Sequence, residues 1–179
     1  MSFTFHEIST ASDEVKPDLE KSEKAFGFVP GLHKVLAESP TVLRAYKVLH
    51  TEFQNTSFDA AELTVVWQTI NLYHKCHYCL PAHTGIAHMM NVDQSIIDSL
   101  SNGEPLSDEK LRVLQETTRA IVDQRGDLSD KQVSRFKEVG YGNEQLLEIV
   151  LGLAQKTVSN YANKMAETPV DEPFLKFVK

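Results

Sequence analysis

The chain has 179 residues, of which 41% are apolar and 24% charged, an ordinary balance for a folded globular protein that excludes bulk disorder. Its 25 acidic against 18 basic residues leave a net charge of -7, which repels phosphate backbones and argues against nucleic acid as a partner. No apolar run approaches the ~20 residues of a membrane span, so no membrane association is expected.

Met1–Thr10 has neither a cationic start nor an apolar stretch, so no secretory signal is expected. The two cysteines are too few for a disulfide scaffold and point to a reducing, cytoplasmic location. Asp18 to Phe26 reads as a helix, with Pro17 at its start and Gly27 past its end. Phe28-Val29-Pro30-Gly31 reads as an apolar turn. Ser39-Pro40 reads as an N-cap with proline in the first turn. Leu43, Tyr46 and Leu49, beside Val48 and Phe53, then recur at helical spacing.

Asp59 opens the next helix with Glu62 three residues on, a capping-box spacing, and Leu63, Val66, Trp67 and Ile70 form its buried stripe. Another helix is expected from near Cys76 to Met90, and a short one from Asp93 or Gln94 to Leu100. Ser107 is expected to cap a helix carrying Leu111, Leu114, Ile121 and Val122. Ser129 and Gln132 form a second box for a helix to Val139, closed by Gly140. Asn143 is expected to cap the last long helix, with Leu146, Ile149, Val150, Leu153 and Val158 inside. Residues 168–179, with Pro169 and Pro173, read as a C-terminal arm. No segment shows bounded period-2 alternation, so the expectation is one all-α domain over 1–179, a bundle of helical hairpins.

The chemistry concentrates in Cys76-His77-Tyr78-Cys79-Leu80-Pro81-Ala82-His83. Residues three and four apart share a helix face, which would align Cys76, Cys79 and His83. Pro81 is tolerated only in a first turn, so Cys79 is expected at or near a helix N-terminus. There, free N–H groups and the helix dipole favour a thiolate, and His83 can take the thiol proton. A thiolate attacks peroxides and disulfides, and a second thiol three residues away traps the sulfenic acid as a disulfide. Two plainer readings compete, half of a zinc site completed by histidines and a pair of inert buried cysteines. The thioredoxin setting is absent, because the motif does not follow a strand.

At these residues the chain resembles the AhpD-like alkyl hydroperoxidase family, within the carboxymuconolactone decarboxylase superfamily. Glu62 through Thr84 carries the main likeness. Phe28-Val29-Pro30-Gly31 and Leu36-Ala37-Glu38-Ser39-Pro40 resemble the family's entry segment. Asn160-Tyr161-Ala162-Asn163 and Thr168-Pro169-Val170-Asp171 resemble the closing segment of a peroxidase-related branch. The resemblance implies an all-helical homo-oligomer that reduces organic hydroperoxides or hydrogen peroxide with no metal or organic cofactor. It implies Cys79 as the peroxidatic thiol, Cys76 as the resolving thiol, His83 in a proton relay, and a lipoyl-type or thioredoxin-type dithiol as reductant.

Two positions depart from the family pattern. The relay glutamate lies twelve residues before the first cysteine, where this chain has Thr64. Glu62 lies about 200° around the helix from that position, so its competing roles are a site acid and the capping box. Tyr78 stands where a histidine is usual between the cysteines, and it offers a hydrogen-bond donor in place of a base. Rival functions are a protein disulfide reductase or redox sensor, a superfamily decarboxylase, and a non-catalytic oligomeric binding module. Elsewhere, Trp67 and Tyr73 read as core, His77 as solvent-facing, His88 as a surface or interface group, and Met89-Met90 as a packing pair. Asn160 and Tyr161 read as residues that satisfy buried polar groups.

Overall fold

The computed structural model describes residues 3–179; Met1 and Ser2 lie outside them. Its helices are α1 (Lys16–Phe26), α2 (Gly31–Leu36), α3 (Pro40–Gln54), α4 (Ala60–His74), α5 (Cys79–Met89), α6 (Gln94–Asn102), α7 (Glu109–Gln124), α8 (Asp130–Glu138) and α9 (Asn143–Ala166). A 3₁₀ helix, Glu172–Phe177, follows. Among the described residues there is no strand, so the architecture is all-α as the sequence implied.

The caps explain most boundaries. Asp59 accepts from the Glu62 amide at 2.9 Å while the Glu62 carboxylate accepts from the Asp59 amide at 3.0 Å, a complete capping box. Ser129 and Gln132 do the same for α8. Other starts differ from expectation. Asp108, not Ser107, caps α7, its carboxylate accepting from the Leu111 amide at 2.9 Å. Gly142 holds the cap position of α9 and Asn143 is its first helical residue. Ser39 precedes α3 without a side-chain cap bond. The apolar turn at Phe28–Gly31 runs straight into α2, because the Pro30 carbonyl accepts from both His33 and Lys34.

Two apolar clusters form the interior. Phe53, Trp67, Ile70, Leu114, Phe136 and Ile149 centre one, and Leu19, Leu32, Leu43 and Tyr46 centre the other together with Cys76 and Cys79. Helix α9 borders both and packs on α3 and α4. At Gly152 a Cβ would fall 2.7 Å from the Phe53 ring, so the helices meet there at glycine distance. Trp67 is core as expected. Tyr73 is not: it is exposed and donates to Asp123 at 2.9 Å. Val48 and Met89 also point outward, and so does Val150, against the expectation that it lies inside α9. With Leu147, Tyr161 and Met165, Val150 makes α9 apolar on its outer side too.

The terminal segment docks against the body. Phe174 and Phe177 press on Gly85 of α5, where a Cβ would lie 2.5 Å from the Phe174 ring. No helix among the described residues is long and apolar enough to cross a membrane.

Candidate active site

Helix α4 ends at Lys75, whose left-handed backbone (φ 51°) reverses the chain into the Cys76–Tyr78 turn. The α5 helix begins at Cys79, three residues later than Cys76, with Pro81 in its first turn. The sulfur atoms of Cys76 and Cys79 lie at bonding distance, with Cα atoms 5.3 Å apart, a separation normal for a disulfide. Both residues are almost fully buried, and the Cys79 amide at the helix head donates to Cys76 Sγ at 3.2 Å.

An array of side-chain amides surrounds this pair. Cys79 Sγ accepts from Asn160 Nδ2 at 3.1 Å and from Asn163 Nδ2 at 3.4 Å, both on α9. Asn160 also donates to Asn71 Oδ1 at 2.9 Å. Asn71 donates in turn to Gln68 Oε1 and to the Cys79 carbonyl. Gln68 donates to Thr84 Oγ1 and to the Leu80 carbonyl. Two helices thus clamp the head of a third, and donors converge on the sulfur at the positive end of α5. This environment stabilises negative charge on Cys79.

One turn along α5, His83 is fully buried beside Trp67, with ring centroids 4.8 Å apart. Its Nε2 lies 2.8 Å from Nζ of Lys156, a lysine of α9 that is only 1% exposed. Burial, then the Lys156 charge, then His50 hold His83 well below the usual histidine range. Burial lowers Lys156 to about 7. Nearby, burial takes His50 down to about 4 and His33 to about 3. Gln155 accepts the Trp67 indole N–H at 2.7 Å and bonds Tyr46 and His50 at 3.2 Å.

The remaining expected site residues lie elsewhere. Glu62 accepts from Lys110 and from Tyr141, both at 2.8 Å, besides its capping bonds. It sits nine residues before Asn71, about 13 Å along the α4 axis, so it is not part of the sulfur site. The Tyr78 hydroxyl donates to Asp171 of the terminal segment and accepts from the Leu32 amide, away from the thiols. Among the described residues the hydroxyl of Thr64, at the relay position, bonds only the Ala60 carbonyl of its own helix. His77 is solvent-exposed as expected and touches the Thr168 carbonyl. His88 stacks on Phe177. Asn160 and Asn163, which the sequence offers only as part of a closing-segment likeness and as satisfiers of buried polar groups, meet the Cys79 sulfur directly, and Asn71, Gln68 and Lys156 carry no sequence signal of their own. The available signal is a polar stripe, Lys156, Asn160 and Asn163, at helical spacing among the apolar residues of α9.

The sequence matches no family model and no curated protein. Solved structures do resemble it. A peroxidase-related protein of Ralstonia eutropha JMP134, described as an alkylhydroperoxidase AhpD core, superposes with a TM-score of 0.83 at 16% identity over 96% of this chain and 93% of its own. A peroxidase-related protein of Silicibacter sp. TM1040 gives 0.79 at 17% identity over 96% and 93%. A cysteine-to-alanine variant of the debrominase Bmp8, in complex with 2,3,4-tribromopyrrole, gives 0.80 at 15% identity over 99% and 95%. The chain therefore has the AhpD-like fold, with its cysteine pair at the head of α5.

Proposed function

We propose that this protein is a thiol-dependent peroxidase that cycles through the Cys76–Cys79 disulfide. The observation that carries the reading is the pairing of two cysteines close enough to join with two amide donors aimed at Cys79 Sγ. In the reduced form the Cys79 thiolate attacks the terminal oxygen of an organic hydroperoxide or hydrogen peroxide. An S–O bond forms, the O–O bond breaks, and the leaving alkoxide or hydroxide takes a proton. Cys76 then displaces water from the sulfenic acid and closes the disulfide. A dithiol of lipoyl or thioredoxin type restores both thiols. No metal or organic cofactor enters the cycle.

The assembly is a homo-oligomer in this reading. The outward apolar residues Leu147, Val150, Tyr161 and Met165 of α9, beside Val42 of α3, form its contact face. The location is cytoplasmic, where dithiol reductants are maintained.

A second reading follows from the likeness to a debrominase along nearly the whole chain. The same thiol pair can reduce a brominated aromatic ring, the ring gaining hydrogen, bromide leaving, and the two thiols becoming the disulfide. One experiment separates the readings. The reduced protein is given one equivalent of cumene hydroperoxide, and intact mass and free thiols are followed with Cys76→Ser and Cys79→Ser alongside. Loss of both thiols without added oxygen, oxygen gain in Cys76→Ser and inertness of Cys79→Ser are expected. Thiols that persist like free cysteine overturn the peroxidase reading, and bromide release from a bromopyrrole then favours the second.

A further inference from the structure

Thr64 leaves the site without a carboxylate at the relay position, yet a peroxidase cycle moves protons twice. The thiol must lose one, and the leaving alkoxide must gain one. The group placed to exchange them lies on α9. Cys79 and His83 sit one turn apart on α5, and Asn160 and Lys156 sit one turn apart on α9. The two helices face each other in two rungs. Asn160 meets Cys79 at 3.1 Å and Lys156 meets His83 at 2.8 Å, with the rungs about 6 Å apart along each helix. His83 Nδ1 is buried and has no hydrogen-bond partner among the described residues, so one ring nitrogen is committed to Lys156 and the other is free.

We propose that Lys156 is the proton reservoir of this site, exchanging the Cys79 proton through the ring of His83, which acts as a neutral relay. The proposal rests on the thiol-peroxidase reading. In the resting dithiol, the Lys156 amine accepts from His83 Nε2–H and Nδ1 carries a lone pair. Nδ1 takes the proton of Cys79, handed on by one water across the gap between the rungs, while Nε2 passes its own to Lys156. The result is a thiolate, the other neutral imidazole tautomer and an ammonium. When the thiolate attacks the peroxide, the steps run in reverse. Nδ1–H goes to the departing alkoxide, Nε2 recovers a proton from Lys156, and an alcohol leaves. Cys76 then supplies the last proton as water departs from the sulfenic acid. Overall, two thiols and one hydroperoxide give a disulfide, an alcohol and water. Imidazole never needs to become a cation, which its surroundings oppose.

The electrostatic setting fits this role. Lys156 meets His83 of α5 and its charge bears on His50 of α3, while its α9 neighbours Gln155 and Asn160 bond the uncharged Trp67 and Asn71 of α4. None of these groups is a carboxylate, and Lys156 takes part in no salt bridge among the described residues. Buried without a counter-ion, the amine releases its proton near neutrality, the range in which a general acid–base group works best.

The test uses full-length protein carrying Cys76→Ser, so that Cys79 is the only thiol. Thiolate absorbance at 240 nm is followed against pH, and the rate with cumene hydroperoxide is measured over the same range. Lys156→Met is expected to raise the Cys79 midpoint by about one unit or more. Lys156→Arg keeps a charge but cannot exchange its proton near neutral pH. It is expected to preserve a low midpoint while slowing the hydroperoxide step by about 10²-fold. An unchanged midpoint and unchanged pH–rate profile in Lys156→Met overturn the proposal. Should Lys156→Met fail to fold, NMR titration of the lysine side chain in Cys76→Ser, with and without Cys79→Ala, decides. A midpoint near neutrality that moves when the thiol is removed supports the relay, and one insensitive to it overturns the relay. A shifted thiol titration in a protein inert to hydroperoxide supports the relay and sinks the peroxidase reading. Fast peroxide reduction indifferent to Lys156→Met does the opposite.

Discussion

Lowering the pH from about 7.5 to about 5 should destabilise this fold far more than its surface charge suggests. His33 is buried and His50 half-buried, and they are held down at about 3 and about 4, so both stay neutral in the folded state at that pH. In the unfolded chain they protonate with an ordinary value near ~6.5. Between the folded and unfolded values the unfolded state binds more protons, so stability falls as pH falls. It is fully present above the unfolded value and is gone once the folded value is passed. At about pH 5 each histidine costs about 2 kcal/mol, giving about 4 kcal/mol for the pair, with His83 adding in the same direction. That is a large part of the 5–15 kcal/mol typical of a domain, roughly speaking. Trp67, the single tryptophan and a core residue, reports unfolding by fluorescence in urea titrations at the two pH values. The expected result is a lower midpoint at about pH 5 with an unchanged slope, and His50→Gln should recover about 2 kcal/mol of the loss. Equal unfolding free energies at both pH values would refute the argument that these rings are buried neutral.

Replacing Asn160 with the isosteric leucine removes a donor from Cys79 and leaves Asn71 Oδ1 unpaired. Thiolate titration in a Cys76→Ser background should show the Cys79 value rising, and chemical unfolding should show a loss of about 1–3 kcal/mol. Gly85→Ala forces a Cβ into the Phe174 ring. It should loosen the terminal segment, cost about 1–3 kcal/mol, and speed both protease cleavage there and alkylation of the reduced cysteines. Leu147→Glu puts a charge on the exposed apolar side of α9. In sedimentation it should lower the assembly state while leaving the circular dichroism of the helices unchanged.

The helices were legible because their ends are written locally. Asp59 with Glu62, and Ser129 with Gln132, lie within one turn and announce α4 and α8. The missed helix, α2, has only six residues and begins directly at a Pro-Gly pair, which reads as a turn. The site divided the same way. Cys76, Cys79 and His83 are close in sequence, and helical periodicity brings them together in thought as in space. Asn160, Asn163 and Lys156 reach the motif from α9, more than seventy residues away. Buried asparagines and a lysine on an apolar helix look like structural polar groups until the facing helix is known. Glu62 shows the converse: a carboxylate near the motif in sequence, already committed to its own cap, to Lys110 and to Tyr141.

The order in which the pieces of the sulfur site leave the ribosome has a cost. The cysteines emerge early, but the amides that bind Cys79 and the phenylalanines that cover α5 come roughly eighty to a hundred residues later. At about 5–20 residues per second, the pair spends about 4–20 s on the nascent chain without its native partners. During that interval it is an ordinary dithiol, open to mixed disulfides and over-oxidation, until the α9 amides and the covering phenylalanines arrive.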